Sequence, residues 1–201
     1  PTPALTILSK SLRADFSVMI TASHNPFQDN GLKFFSGTGY KITAEEERKI
    51  EDYFFNYDFD NFKIKPSNYG KAVRLKDAIG RYSEALKQNT LKNLDYTKLK
   101  VVLDCANGAA YKVAPEVLFE IGVELDTLGD RPNGVNINEK CGSLFPERAS
   151  KLVKKRKSDV GICLDGDGDR LIIIDEKGEP IFGEELIYIL AKYYLKNKNI
   201  K

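Results

Sequence analysis

From Lys98 onward, short apolar runs alternate with helix-length segments, and no other feature restricts the fold so much. Residues 101–103, 123–128, 160–164 and 171–174 have the branched, apolar composition of strands. Between them, 111–121 reads as a helix closed by Gly122. A second helix, 146–157, begins at Pro146, whose missing N–H costs nothing in a first helical turn. Strands that alternate with helices pair side by side and bury their faces beneath those helices. The expected class is therefore α/β, with mixed, mostly parallel sheets and covering helices.

The first third of the chain reads as strand, loop, strand, helix. Residues 15–20 form an apolar run that feeds a polar loop, 21–31; residues 32–35 return as a strand ended by Gly37-Thr-Gly39. Thr43 and Glu46 have capping-box spacing, in which each side chain satisfies a backbone N–H of the first turn of a helix reaching about residue 55. Residues 57–72, with scattered aromatics, Pro66 and Gly70, read as irregular connection. Residues 77–91 form a further helix with Ile79, Tyr82 and Leu86 on one apolar face, and 183–196 a last amphipathic helix with no partner in the domain before it. The expected organisation is two consecutive α/β domains, 1–76 (incomplete) and 77–178, with 179–201 opening a third. With a start at Pro1-Thr2-Pro3 and a stop at Lys201, inside or just past a helical run, the expectation is a piece of a longer protein.

Composition removes several function classes. Across 201 residues, 31 basic side chains face 29 acidic ones for a net +2, too balanced for a nucleic-acid binder held by many phosphate contacts. Hydrophobic residues at 42% suffice for a core, so global disorder is excluded. No apolar run, 171–174 included, comes near the roughly 18 residues a membrane helix needs. Three cysteines, Cys105, Cys141 and Cys163, are few and odd in number. They read as reduced thiols, since zinc would want closer pairing, and with no signal peptide the expected location is cytoplasmic. The basic run 151–157 is read as the solvated face of a helix whose buried stripe is Leu152 and Val153.

Two segments carry chemistry. In Asp165-Gly-Asp-Gly-Asp-Arg170, three carboxylates alternate with glycines after a strand, where open α/β sheets place their ligands. On a tight loop Asp165, Asp167 and Asp169 converge on one hard divalent cation, whose charge offsets their mutual repulsion. Arg170 adjoins them and suits a phosphate. An EF-hand is excluded because Arg170 stands where that loop needs glycine and a strand follows. The other segment is Thr21-Ala-Ser-His-Asn-Pro26, with Lys33 ten residues after Ser23 and His24 the only histidine. It lacks the glycines of a nucleophile elbow, and no nucleotide-binding glycine motif occurs. A metal loop and a candidate serine together suit phosphoryl transfer through a phosphoserine, with magnesium neutralising the moving group.

These two loops, with Asn25-Pro-Phe-Gln-Asp-Asn-Gly-Leu-Lys-Phe-Phe35, Asp104-Cys-Ala-Asn-Gly-Ala109 and Gly134-Val-Asn-Ile-Asn-Glu-Lys-Cys-Gly142, resemble the α-D-phosphohexomutase superfamily across essentially the whole chain. Members have four domains; the likeness covers the later part of the first, the second, and the opening of the third. The resemblance implies that Ser23 carries the phosphoryl group and that Asp165, Asp167 and Asp169 hold Mg2+, with a Ser23 phosphate oxygen as a further ligand. It also implies that Lys33 and His24 serve proton transfer or charge stabilisation, and that Arg170 positions phosphate. The nearest likeness is to the bacterial branch that interconverts glucosamine 6-phosphate and glucosamine 1-phosphate through a sugar bisphosphate, toward cell-wall precursors. Its partners are then a hexosamine phosphate and, for the whole protein, a second copy in a homodimer, with no nucleic acid or membrane. This piece alone is expected to be inactive. The alternatives are a glucose or mannose phosphomutase, or a non-catalytic magnesium-binding fragment.

Overall fold

The computed structural model describes residues 1–58, 64–91 and 94–197. It opens with a helix, α1 (Thr2–Leu12), that the strand-loop-strand-helix reading omits. Pro1 and Pro3 sit at its start, where a missing N–H breaks no helical bond. Ala4, Ile7 and Leu8 recur at helical spacing and face the core. A hairpin follows, β1 (Phe16–Thr21) and β2 (Gly31–Ser36), antiparallel with Thr21 opposite Gly31 and Met19 opposite Lys33.

Helix α2 (Ala44–Asn56) begins with the expected capping box. The Thr43 N–H donates to Glu46 Oε2 at 2.8 Å, and the Glu46 N–H to Thr43 Oγ1 at 3.3 Å. No residue of α2 is buried. The expected irregular connection contains one 3₁₀ turn, Pro66–Asn68; its stretch 59–63 lies outside the described residues. Helix α3 (Ala78–Lys87) stops short of residue 91. Its packed strip is narrower than expected: Tyr82 and Leu86 join the core beside α1, while Ile79 turns outward and is 44% exposed.

The second half builds β3 (Lys100–Asp104), α4 (Val113–Glu120), β4 (Glu124–Leu128), α5 (Glu147–Arg156), β5 (Val160–Leu164), β6 (Leu171–Ile174), β7 (Pro180–Ile181) and α6 (Gly183–Asn197). The sheet is mixed, in the order β4-β3-β5-β6-β7. β3 runs parallel to both β4 and β5, whereas β6 and β7 turn back antiparallel. Val113 and Val117 of α4 close one face together with Ala4 and Tyr82. Ala149 and Val153 of α5 close the other over Val102, Cys163 and Ile174. β3 is thus covered twice, and Val101, Val102 and Leu103 are 2%, 0% and 1% exposed. Each such side chain contributes about 1.5–3 kcal/mol through burial. The basic run does sit on α5 with Val153 inward and Lys154 and Lys155 outward.

Three parallel strands end on the same side, so the segments after β3, β4 and β5 gather at one edge, where this architecture concentrates its ligands. The loop between β1 and β2 meets them there. Helix α6 leaves Ile187, Tyr188 and Leu190 exposed. Among the described residues no helix is long and apolar enough to cross a membrane.

Candidate active site

The turn between β5 and β6 is wound around Asp165. Its N–H donates to the Arg170 carbonyl at 3.2 Å, and its own carbonyl accepts from Gly168 at 3.1 Å. Asp165 Oδ1 accepts from the N–H groups of Asp169 (3.1 Å) and Arg170 (3.2 Å). The turn therefore orients the carboxylate with backbone donors and leaves Oδ2 buried without a partner. Asp167 is arranged in parallel fashion. Its Oδ2 accepts from Lys33 Nζ at 2.7 Å and from the Thr2 hydroxyl, while Oδ1 is buried and unpartnered. One oxygen from each of Asp165, Asp167 and Asp169 lies within 4.8 Å of the others. An unpaired buried carboxylate oxygen is costly, so two of them in one triad fit a hard divalent cation held by oxygen ligands.

The electrostatics are uneven. Burial pushes the Asp165 carboxyl up to about 6, against the pull of the Arg170 N–H and with help from the neighbouring Asp167 and Asp169 charges. Burial acts on Asp167 in the same direction, but hydrogen bonds from Lys33 and Thr2 outweigh it and hold that carboxyl below its ordinary value. Lys33 loses solvation as well, yet its bonds to Asp167 and Asp169 raise it above the usual lysine value, so it stands here as an ammonium.

Ser23 sits two residues past the end of β1 with φ 52°, a left-handed conformation that non-glycine residues seldom adopt. Its N–H donates to Thr21 Oγ1 at 2.8 Å, and Asn25 N–H donates to the Ala22 carbonyl at 2.9 Å. Lys33 rises from β2 on the same strand face as the buried Phe35, two residues along. Its ammonium lies 3.4 Å from Ser23 Oγ, 2.7 Å from Asp167 and 2.9 Å from Asp169. One lysine thereby links the serine to the carboxylates.

The loops around this centre interlock through backbone. The Ala109 N–H donates to the Gly166 carbonyl at 2.7 Å, and a Cβ on Gly108 would fall 2.2 Å from that oxygen. A Cβ on Gly166 would in turn lie 2.5 Å from the Ser23 carbonyl and 2.8 Å from Asn138 Nδ2. Both glycines are required by close approach alone. Asn138 Nδ2 donates to the carbonyls of Ser23 and Asn25, each at 2.8 Å.

Five of the residues singled out by sequence, Ser23, Lys33, Asp165, Asp167 and Asp169, therefore meet. Arg170 stands at the rim, 56% exposed, with Nε 3.8 Å from Asp169 Oδ1. His24 lies elsewhere: it lines a cavity of about 510 Å³ with Phe27, Val135 and Phe145, and its buried Nδ1 has no hydrogen-bond partner. It makes no ion pair or hydrogen bond to the carboxylates among the described residues. Sequence reasoning missed Thr2 and Asn138, whose contacts span 165 residues and 113 to 115 residues. The one local signal is Asn138's type, since asparagine tolerates the positive φ it adopts.

Residues 1–61 match the family described as phosphoglucomutase/phosphomannomutase, alpha/beta/alpha domain I, and residues 80–178 match domain II of the same family. The chain is 48% identical over its whole length to a phosphoglucosamine mutase of Aliarcobacter butzleri and 50% identical to one of Geobacter metallireducens. It spans 45% of the length of each of these curated relatives. The solved structure of a phosphoglucomutase/phosphomannomutase family protein from Burkholderia thailandensis superposes with a TM-score of 0.74 at 24% identity. That superposition covers 92% of this chain and 38% of the other, and it speaks for the fold.

Proposed function

The chain belongs to the phosphoglucomutase/phosphomannomutase family, and from that premise we propose that it carries the serine and carboxylate half of a phosphoglucosamine mutase site. The observation that carries this reading is Lys33, whose ammonium contacts the Ser23 hydroxyl and two of the three carboxylates at once. Ser23, as a phosphoserine, gives its phosphoryl group to a hydroxyl of glucosamine phosphate. The resulting sugar bisphosphate reorients and returns its other phosphoryl group to Ser23, which restores the enzyme.

Lys33 stays protonated in this scheme and opposes charge on the transferred oxygens, so its part is charge stabilisation. Asp165, Asp167 and Asp169 would hold Mg2+, and the two unpartnered oxygens are the natural ligands. When bound, the ion supplies fixed positive charge against the phosphoryl oxygens. Arg170 at the rim suits a phosphate of the substrate. His24 follows Ser23 in the chain but lines the neighbouring cavity, so its part in proton transfer or charge stabilisation rests on the family resemblance alone. The identities of 48–50% favour the glucosamine branch over the glucose and mannose ones.

The same reading takes 1–76 and 77–178 as two domains with 179–201 opening a third, in a cytoplasmic, homodimeric protein. The groups that grip the far end of the sugar then lie outside this chain, so the chain alone turns over at least about a hundredfold more slowly than the whole enzyme, as expected where positioning supplies the rate.

Phosphopeptide mapping of the full-length protein tests the scheme. Phosphate should occur on Ser23 and on no other hydroxyl of its loop, and Ser23→Ala should abolish turnover. Near-parental activity in that variant overturns the mechanism. Calorimetry tests the metal: Asp167→Ala should lose magnesium binding, and equal binding in both proteins removes the metal-loop assignment.

A further inference from the structure

A phosphoryl carrier needs its oxygen placed to within a fraction of an ångström, and Ser23 meets that need from an unfavourable backbone conformation. A left-handed serine persists only where its surroundings over-determine it. Locally, the Ser23 N–H is held by Thr21 Oγ1. Its carbonyl is held by a residue more than a hundred positions later.

The geometry points to Asn138 as the positioning residue of Ser23: its amide clamps the carbonyls of Ser23 and Asn25 and so fixes the hydroxyl against Lys33 and the carboxylates. This inference rests on the phosphoserine reading and deepens it.

Three observations support the assignment. An asparagine amide has two N–H donors, and here both have an acceptor at 2.8 Å. Two carbonyl partners also settle which amide atom faces the loop, since an oxygen there would be repelled. Asn138 is itself fixed. Its N–H donates to the Ala106 carbonyl at 2.9 Å, it is only 7% exposed, and its φ of 57° admits few residue types. Moreover, Nδ2 abuts Gly166 of the carboxylate turn, so one side chain touches both the serine loop and the turn that carries Asp165 and Asp167. Only asparagine joins tolerance of that backbone to two donors of this reach. Aspartate keeps the shape and the backbone but offers oxygens to carbonyls. Glycine keeps the backbone and offers nothing.

The test uses Asn138→Asp and Asn138→Gly in the full-length protein, assayed with glucosamine 6-phosphate and a bisphosphate activator. The expected result is a fall in kcat of about tenfold to a hundredfold with KM changed less than about threefold, because sugar contacts are untouched while the reacting oxygen drifts. Hydrogen exchange in the same variants should quicken at residues 22–25 and stay unchanged across β3 and β5. A kcat within twofold of the parent in Asn138→Asp overturns the inference, as does exchange that quickens across the whole sheet, which marks a general loss of stability. If Ser23 in the parent carries no phosphate, the phosphoserine reading falls instead. The exchange pattern then still decides whether Asn138 clamps the loop.

Discussion

The hairpin β1–β2 and the central strand β3 are written in similar residues and meet opposite fates. Phe16, Val18, Ile20 and Leu32 share one face of the hairpin and are 67%, 38%, 72% and 59% exposed. Val101, Val102 and Leu103 of β3 are almost wholly buried. The difference lies in what the chain lays over them. The sheet around β3 has the cluster of α1, α3 and α4, reached through Leu164 of β5, on one side and α5 on the other, whereas the hairpin has α1 against the face that carries Ser17 and Phe35. Apolar periodicity in a sequence declares which face seeks cover; it is silent on whether this stretch of chain provides it.

Thiol chemistry should show the contrast most strongly. All three cysteines lie on the covered side of the molecule, and burial pushes Cys105 and Cys163 to about 12 and Cys141 to about 11. At pH 8 their thiolate fraction is then about 10⁻³ or less, against roughly a quarter for an ordinary thiol. Alkylation of the native chain by iodoacetamide should run at least about a hundredfold slower than after denaturation. Comparable rates would show that the sheet opens readily and that its cover is poor.

Core truncation separates the two regions next. Ile174→Ala, at a fully buried site beneath α5, should cost about 2–5 kcal/mol in urea unfolding. Ile20→Ala on the open hairpin face should stay within about 0.5 kcal/mol. Equal costs would mean that the hairpin face is covered in solution. The most local effect belongs to α2, which has no buried residue and begins at its capping box. Thr43→Ala should remove about 1 kcal/mol of local helix stability, seen as faster amide exchange at 44–48, with the midpoint of the sheet unmoved.

Legibility in the sequence followed the range of the interaction. The capping box, the carboxylate turn and the serine loop are each determined within a few neighbours, and each appears where the spacing of Thr43, Asp165 and Ser23 implied. Lys33 was also legible, because the turn of a hairpin brings a residue ten positions away back beside its start. Helix α1 was not, since two prolines disguise its first turn and its apolar residues find their partners in distant elements, α3, α4 and β5. Ile79 failed for a related reason: period alone assigned it to a face that the fold covers only in part. Asn138 was the hardest, because nothing near it in sequence shows that its amide is meant for carbonyls more than a hundred residues earlier.

The contact between Thr2 and Asp167 sets a schedule for the ribosome. The Thr2 N–H and hydroxyl both engage Asp167, 165 residues downstream. At about 5–20 residues per second, α1 is synthesised roughly 8–33 s before the turn it supports. Through that interval its apolar side, Ala4, Ile7 and Leu8, has only the elements made so far for company, and the full lining from α4 and β5 arrives late. The nascent chain therefore passes through a period in which the α1 segment, too short to hold as a helix alone, lacks the partners that cover its apolar side. A holdase that shields α1 during synthesis should raise the yield of native chain more than one that acts after release.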